Sequence, residues 1–319
     1  MPPRSLMTWA LTVLMAGGLL LFFGDAFLIG SSPLLLLAFA AIGLLVVAGF
    51  VHHAEHGPAG RLHPAPVLLA AIAALGVMGI SRVGLLSVEQ ATALVGTAGG
   101  LAERWGPSPL RNRAVAAPLY CGAFAGMTSE LVLGHPGWVL LAGALAGMLL
   151  ALLSNSWRGI GGKLGTTAFL AVAATSALAL SMGAIGPGAP LYAYSQAEGV
   201  GVLIAAVLSP LVTQTLSFRY QLGVVLGSSL PSLLLAVLLP PPLAAAWLGG
   251  SFVGMTSPER LGPRPLPVLV AMGLLFAMFS LYFQPGLGGI GGDLGATAAV
   301  SVFAVLGARA LLSALRRRR

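Results

Sequence analysis

Charge is scarce in this sequence: Asp, Glu, Lys and Arg together make up 8% of its 319 residues. A soluble globular domain carries about a quarter charged residues, so the composition excludes an ordinary soluble protein. Apolar residues account for 57% of the chain and recur in long segments to its end. The sequence therefore predicts an integral membrane protein whose main partner is the lipid bilayer.

Cysteine and lysine each occur once, at Cys121 and Lys163. A single cysteine excludes an internal disulfide. No nucleophile elbow, P-loop or dinucleotide fingerprint is present, so we expect neither an enzyme nor a resident cofactor. The net charge of +8 comes from arginines in loops and at the C-terminus, where they anchor cytoplasmic helix ends. This distribution argues against nucleic acid as a partner.

A membrane-spanning helix needs roughly 20 mostly apolar residues, and the chain offers twelve such segments. The prediction is an all-α polytopic membrane protein with helices near 6–24, 33–51, 66–84, 87–103, 114–129, 138–157, 163–183, 198–217, 219–239, 241–257, 265–283 and 292–314. Segments 114–129 and 241–257 are short, and Glu89 interrupts 87–103. These three are candidates for re-entrant or broken helices.

Arginine placement predicts the orientation of the chain. Most loop arginines fall on one side if both termini are cytoplasmic, as expected in a bacterial-type plasma membrane. Arg82 is the exception, because it lies at an outer helix end. We expect it to pair there with Glu89.

Two phrases of the sequence occur twice, in the same order. GIGGKLGTTA at 159–168 returns as GIGGDLGATA at 289–298, with eight of ten residues identical. Upstream, GAFAGMTS in 118–134 returns as GSFVGMTS in 246–262. Five predicted crossings separate equivalent points, so the second copy enters the membrane in the opposite sense.

The repeats predict the domain organisation. Residues 1–65 form an N-terminal helix pair with a His-rich cytoplasmic loop, 66–183 the first five-helix repeat and 184–197 a connector. Residues 198–319 form the inverted second repeat with a basic tail. Inverted repeats with broken helices place a solute site at their interface near the bilayer midplane.

The duplicated phrases contain the predicted solute pathway. Glycine runs let the backbone bend and approach a ligand, hydroxyls bind polar solutes or cations, and ionisable groups within a membrane are functional candidates. The predicted residues are Lys163, Asp293, Thr167, Thr297, Thr128, Ser129, Thr256, Ser257, Gly161, Gly162, Gly291 and Gly292. A structural interpretation stands beside each: the hydroxyls satisfy helix-end carbonyls, Asp293 caps a helix start and Lys163 snorkels.

The His-rich tract VHHAEHGPAGRLH contributes His52, His53 and His56 as candidate metal ligands. A polar cytoplasmic loop is the alternative, and no transport metal is expected. Gly143 and Gly147, four residues apart, could pack helices within one protomer or in a homo-oligomer.

Three functions remain open at this point. The first is a secondary carrier for a small polar or ionic solute, coupled to a proton or sodium ion. The second is a passive small-solute or ion channel of the same symmetry. The third is a non-catalytic membrane subunit of a larger complex.

Overall fold

The computed structural model describes residues 33–53, 59–108, 114–184, 195–282 and 289–317. The predicted helix 6–24, His56, most of the connector 184–197 and the last two arginines lie outside the described residues.

The described residues form helices and no strands. Twelve α-helices follow one another within these ranges: α1 Pro33–His53, α2 Pro64–Arg82, α3 Val88–Trp105, α4 Ala116–Gly126, α5 Pro136–Leu152, α6 Lys163–Ser181, α7 Gln196–Gln214, α8 Val224–Leu238, α9 Pro241–Val253, α10 Pro258–Leu261, α11 Pro265–Tyr282 and α12 Asp293–Arg317. A π-helical turn, Thr215–Arg219, extends α7. The prediction of an all-α protein is confirmed.

Four helices are long and apolar enough to cross a membrane: α2, α6, α7 with its π-helical turn, and α12. Shorter apolar helices occur within α1, α5, α8 and α11. Together with the composition, these helices indicate an integral membrane protein.

The segment 87–103, interrupted by a glutamate, forms the helix α3. Its start is fixed by a capping box, in which the Ser87 hydroxyl accepts from the Gln90 N–H and the Gln90 side chain accepts from the Ser87 N–H. Its glycines give close packing, because a Cβ atom at Gly100 would lie 2.8 Å from Leu226 Cβ in α8. Packing and capping therefore stabilise a helix whose hydropathy is low.

The helices α4 and α9 are short, at 11 and 13 residues. At 1.5 Å per residue they extend about 16–20 Å, less than the roughly 30 Å of the hydrocarbon core. Each ends just before or within its GMTS phrase. The predicted segments 114–129 and 241–257 are therefore helical only in part.

The helices pack as two similar groups. In the first, α2 contacts α3, α4 and α5, and α6 contacts α4 and α5; in the second, α7 contacts α8, α9 and α11, and α12 contacts α9 and α11. The groups meet where α3 packs on α8 and α6 on α12, and α1 lies along α12. Gly143 and Gly147 of α5 lie against the α2 backbone of the same chain.

One predicted ion pair is wrong. Arg82 pairs with Glu130, with Nε 2.7 Å from Oε1, and also donates to the Leu133 carbonyl. The Glu89 carboxylate instead accepts from the Ser87 hydroxyl at 2.8 Å. The turn after α4 brings Glu130 to the end of α2. This contact could not be predicted, because Glu130 and Arg82 are far apart in the sequence.

Candidate functional site

Each glycine-rich loop lies against the GMTS phrase of the other half of the chain. The N–H of Ser129 donates to the Gly289 carbonyl at 2.8 Å, and the N–H of Ser257 donates to the Gly159 carbonyl at 2.9 Å. The two bonds join equivalent residues of the two duplicated phrases. Both predicted serines therefore contact the glycine loops through their backbones.

The neighbouring threonines form a second pair of reciprocal bonds. The N–H of Gly161 donates to Thr256 Oγ1 and the N–H of Gly291 donates to Thr128 Oγ1, each at 3.2 Å. Both threonine side chains are buried. The structure thus brings the predicted threonines and glycines together across the interface of the two helix groups.

Each of these threonine hydroxyls also donates to its own helix end. Thr128 Oγ1 donates to the Ala125 carbonyl at 2.7 Å, and Thr256 Oγ1 to the Val253 carbonyl at 2.8 Å. This agrees with the expectation that hydroxyls satisfy the last carbonyls of a helix. Each hydroxyl therefore links the end of a short helix to the opposite glycine loop.

Gly162 and Gly292 need to be glycine for two reasons. Their φ angles are 83° and 90°, which L side chains rarely adopt. A Cβ atom at Gly162 would lie 2.5 Å from the N atom of Ala299, and one at Gly292 would lie 2.5 Å from the N atom of Phe169. Each loop therefore turns directly against the backbone of the other group's helix.

The starts of α6 and α12 cross each other. Gly165 is the third residue of α6 and Gly295 the third of α12. A Cβ atom at Gly165 would lie 2.5 Å from the Cα of Gly295. The two glycine-rich breaks therefore meet in the interior, in direct backbone contact.

The Lys163 ammonium is held by its own half of the chain. Its Nζ donates to the carbonyls of Leu153 at 2.7 Å and Ser156 at 2.5 Å. Leu153 is the C-cap residue of α5, so the cation lies where a helix dipole is negative. This contact supports the structural interpretation of Lys163, and its role in transport stays a prediction.

The Asp293 carboxylate lies at the start of α12. Its Oδ1 accepts from the N–H of Leu294 at 2.6 Å, and negative charge at a helix N-terminus is favourable. No ion pair joins Asp293 to Lys163, although the structure describes both residues. The Thr167 and Thr297 hydroxyls donate to the carbonyls four residues before them, at 2.8 and 2.9 Å.

Aromatic rings pack between the ends of the two short helices. The centroids of Phe124 and Phe252 lie 4.8 Å apart, and Tyr120 lies 4.3 Å from Phe124 and 5.9 Å from Phe252. Phe124 and Phe252 hold the same position in the duplicated phrases. The ends of α4 and α9 therefore meet in the core.

A buried hydroxyl cluster beside these rings was not predicted from the sequence. Ser228 Oγ lies 2.6 Å from Ser251 Oγ and 3.2 Å from the Tyr120 hydroxyl. Thr97 Oγ1 donates to Ser229 Oγ at 3.2 Å. The available signal was the occurrence of several serines in two otherwise apolar segments, 219–239 and 241–257.

Helix α7 carries a row of buried hydroxyls that lack partners among the described residues. They belong to Ser209 and Thr213 of α7 and to Ser217 of the π-helical turn that follows it. Ser209 and Thr213 are four residues apart and therefore share a face of α7. That face lies against glycines: a Cβ atom at Gly254 would lie 2.8 Å from Thr213 Cβ, and Ser217 Oγ lies beside Gly227. A buried hydroxyl without a hydrogen-bond partner is energetically costly.

His52 and His53 lie at the end of α1, in an open groove beside α12. Within the described ranges, no group of three His, Cys, Asp or Glu side chains could hold a metal ion. His56, the third predicted ligand, lies outside those ranges.

The fold and this interior site define an all-helical integral membrane protein with glycine-rich helix breaks. No family model, curated protein or solved structure matches the chain. Its function is therefore inferred from its own residues.

Proposed function

We propose that the protein is a secondary carrier for a small polar or ionic solute, built from two inverted five-helix repeats. The observation that carries the proposal is the reciprocal contact between the glycine breaks and GMTS phrases of the two halves. Each of the four bonds has a counterpart with equivalent residues exchanged. Such an exchange is the property of two units related by a two-fold axis.

The helix contacts support the same symmetry. Every contact among α2, α3, α4, α5 and α6 has a counterpart among α7, α8, α9, α11 and α12. The equivalent rings Phe124 and Phe252 pack on each other, as residues beside a two-fold axis do. We count five crossings per unit, with the short helices α4 and α9 crossing together with their non-helical ends, so the axis lies in the membrane plane. The loop arginines then make both termini cytoplasmic.

The solute site of this carrier lies at the crossing of the two breaks. Irregular backbone at membrane depth is tolerated only where it is buried in protein or lines a cavity. Here the N-terminal ends of α6 and α12 offer N–H donors, and the Thr128 and Thr256 hydroxyl oxygens, which accept from the opposite glycine loops, become available as acceptors when the two breaks separate. These groups suit a small solute that both donates and accepts hydrogen bonds.

The hydroxyl row of α7 is the proposed place for a coupling sodium ion. Pro210 has no N–H, so the helix leaves the Ala206 carbonyl without its usual donor. Neutral hydroxyl and carbonyl oxygens are ligands for a hard monovalent cation.

The first repeat lacks two of the three hydroxyls, because only Ser217 has a serine, Ser81, at the equivalent position. Gly122 lies against Ala70 of α2 as Gly250 lies against Ala206 of α7, so Ser209 corresponds to Ala73 and Thr213 to Val77. The two halves therefore differ in polarity at one symmetric position. A coupling site in one half alone accounts for this difference.

A carrier fits the closed interior better than a passive channel does. Gly165 and Gly295 leave no space for even one added methyl group between α6 and α12. A solute passes this point only if the helices separate. Rocking of one repeat against the other supplies that separation.

Uptake into proteoliposomes tests the proposed function. The assay uses a panel of radiolabelled small polar and monovalent ionic solutes with imposed Na⁺ or proton gradients. Accumulation against a solute gradient, abolished by the matching ionophore, supports the carrier. Solute flux that is independent of both ion gradients and does not saturate with solute concentration indicates the passive channel. Absence of flux, together with a partner protein that co-purifies in stoichiometric amount, indicates a subunit of a larger complex.

Topology is tested independently of the solute. Glu130→Cys and Glu259→Cys, each in a Cys121→Ala background, place one thiol at an exposed residue beside each GMTS phrase. A membrane-impermeant maleimide is expected to label Glu130→Cys from outside and Glu259→Cys from the cytoplasmic side. Labelling of both from one side overturns the inverted repeat.

The sodium site has its own test. Ser209→Ala with Thr213→Val gives α7 the side chains of the first repeat. We expect NaCl, relative to choline chloride, to raise the unfolding temperature of the parent protein and to lose this effect in the double variant. Thr175→Val is the control, because the Thr175 hydroxyl already donates to the Ala171 carbonyl.

A further inference from the structure

A basic groove opens at the end of the bundle where α1 and α12 finish. Its volume is about 790 Å³, and its lining includes His52, His53, Arg260, Arg309 and Arg316. These residues come from three separate segments of the chain. The groove is outside the glycine crossing, so an inference about it does not depend on the proposed transport function.

Backbone contacts fix two of the arginines. Arg309 Nη1 donates to the Leu261 carbonyl at 2.7 Å, and Arg260 Nη2 donates to the Arg158 carbonyl at 3.2 Å. The Leu261 carbonyl orients the Arg309 guanidinium without neutralising its charge. The groove therefore presents positioned cations, and an arginine has five donors with which to bind both a carbonyl and a ligand.

Among the described residues that line the groove, Glu259 is the one acidic side chain, beside three arginines. A hydrogen bond from the Ser257 side chain holds the pKa of Glu259 below its usual value, so its carboxylate stays ionised at neutral pH. Even so, the lining carries a net positive charge.

One wall of the groove is apolar. Leu306, Ala310 and Leu312 of α12 line it together with the basic residues, and Leu312 is exposed. A simple solvated face of positive charge does not need such a wall. A ligand with an anionic group and an apolar portion contacts both parts.

We propose that this groove binds a phosphate group, with the arginines as its ligands. Guanidinium groups match phosphate oxygens through parallel hydrogen bonds. Basic pockets beside membrane helices on the cytoplasmic side bind anionic lipid headgroups. A phospholipid headgroup and a free phosphate share this chemistry, and the test separates them.

Two double variants with the same change of charge form the test. Arg260→Gln with Arg316→Gln removes two groove arginines. Arg264→Gln with Arg317→Gln removes two exposed arginines, neither of which lines the groove. Both proteins are compared with the parent in detergent, after circular dichroism confirms equal helix content.

The probes are dioctanoyl phosphatidylglycerol, dioctanoyl phosphatidylcholine and inorganic phosphate, with binding measured by isothermal titration calorimetry. We expect the dissociation constants of the anionic lipid for the parent and for the Arg264/Arg317 variant to agree within about twofold. For the Arg260/Arg316 variant, we expect a dissociation constant at least about tenfold higher. Glu259→Gln is expected to bind more tightly, because it removes the single negative charge. Phosphatidylcholine is expected to bind more weakly than the anionic lipid, since its choline opposes the arginines.

The outcomes separate the sources of phosphate. Inorganic phosphate that binds as tightly as the lipid, with the same dependence on the groove arginines, identifies a soluble phosphate ligand. Phosphate that fails to compete with the lipid identifies a headgroup. Equal losses in both double variants, or no binding by any probe, overturn the proposal.

Discussion

The crossing of α6 and α12 makes a quantitative prediction about alanine at Gly165 and Gly295. A Cβ atom at Gly165 would lie 2.5 Å from the Cα of Gly295, whereas carbon atoms pack at about 3.5–4.0 Å. The helices therefore have to separate by about 1 Å, and overpacking of this kind costs about 1–3 kcal/mol. Alanine regains up to about 1 kcal/mol of helix propensity. We expect each substitution to lower the free energy of unfolding by up to about 2 kcal/mol, and by about 1–3 kcal/mol relative to a glycine-to-alanine change that meets no steric clash.

Gly76→Ala is the matched control. Gly76 lies within α2, and among the described residues no atom outside its own helical turn lies within 4 Å of a Cβ placed there. Its substitution is expected to leave the free energy of unfolding unchanged or to raise it by up to about 1 kcal/mol. The difference in free energy of unfolding between Gly76→Ala and Gly165→Ala therefore measures the steric cost separately from helix propensity.

The double variant Gly165→Ala with Gly295→Ala tests whether the two glycines contact each other. Separation of the helices relieves both methyl groups at once, so the combined loss is expected to fall short of the sum by at least about 0.5 kcal/mol. Unfolding is followed by circular dichroism during titration of detergent micelles with sodium dodecyl sulfate. Additive losses, or single variants as stable as Gly76→Ala, would refute the crossing.

Three further predictions concern polar contacts and use the same titration. Valine at Thr128 or Thr256 leaves a buried glycine N–H unpaired and is expected to lower the free energy of unfolding by about 1–3 kcal/mol. Serine at the same position should retain most of the stability, and an equal loss for valine and serine would contradict the hydrogen bond to the glycine N–H. Lys163→Met removes the ammonium from two carbonyls and is expected to cost about 1.5–3 kcal/mol, with an unchanged midpoint as the contrary result. Glu130→Gln breaks the Arg82 pair, but Glu130 is 62% exposed. We therefore expect a loss of at most about 1 kcal/mol, which disappears in 1 M salt.

Most helix positions could be predicted because hydrophobic length alone specifies them. The segments predicted at 66–84 and 163–183 correspond to α2 at Pro64–Arg82 and α6 at Lys163–Ser181. Hydropathy could not specify where α4 stops. That end depends on Thr128, whose hydroxyl bonds both its own helix and a loop far along the chain.

The meeting of the two glycine phrases was predictable from their duplication, but their partners were not. The sequence predicted both residues in the solute pathway, with a helix cap for Asp293 and snorkelling for Lys163 as the structural alternatives. The structure gives Lys163 the carbonyls at the end of α5 and gives Asp293 the first N–H groups of α12. Each charge is satisfied by a nearby helix end, a local solution that spacing cannot distinguish from a long-range pair.

The buried hydroxyl clusters show a second limit of prediction from the sequence. Ser228 and Ser251 look like ordinary small residues within apolar segments. Their importance comes from the contact of α8 with α9, which places one Oγ 2.6 Å from the other. Periodicity within a single helix contains no information about such a contact between two helices.

Helix α1 packs on α12, and no described helix packs in the equivalent place on α6. Gly49 of α1 lies against the backbone of Phe303 and Gly307 in α12. Among the described helices, none covers the matching face of α6, where Ala177 and Leu178 are exposed. Among the described residues, α1 therefore shields α12 on this face, whereas the equivalent face of α6 is left to contact lipid acyl chains directly.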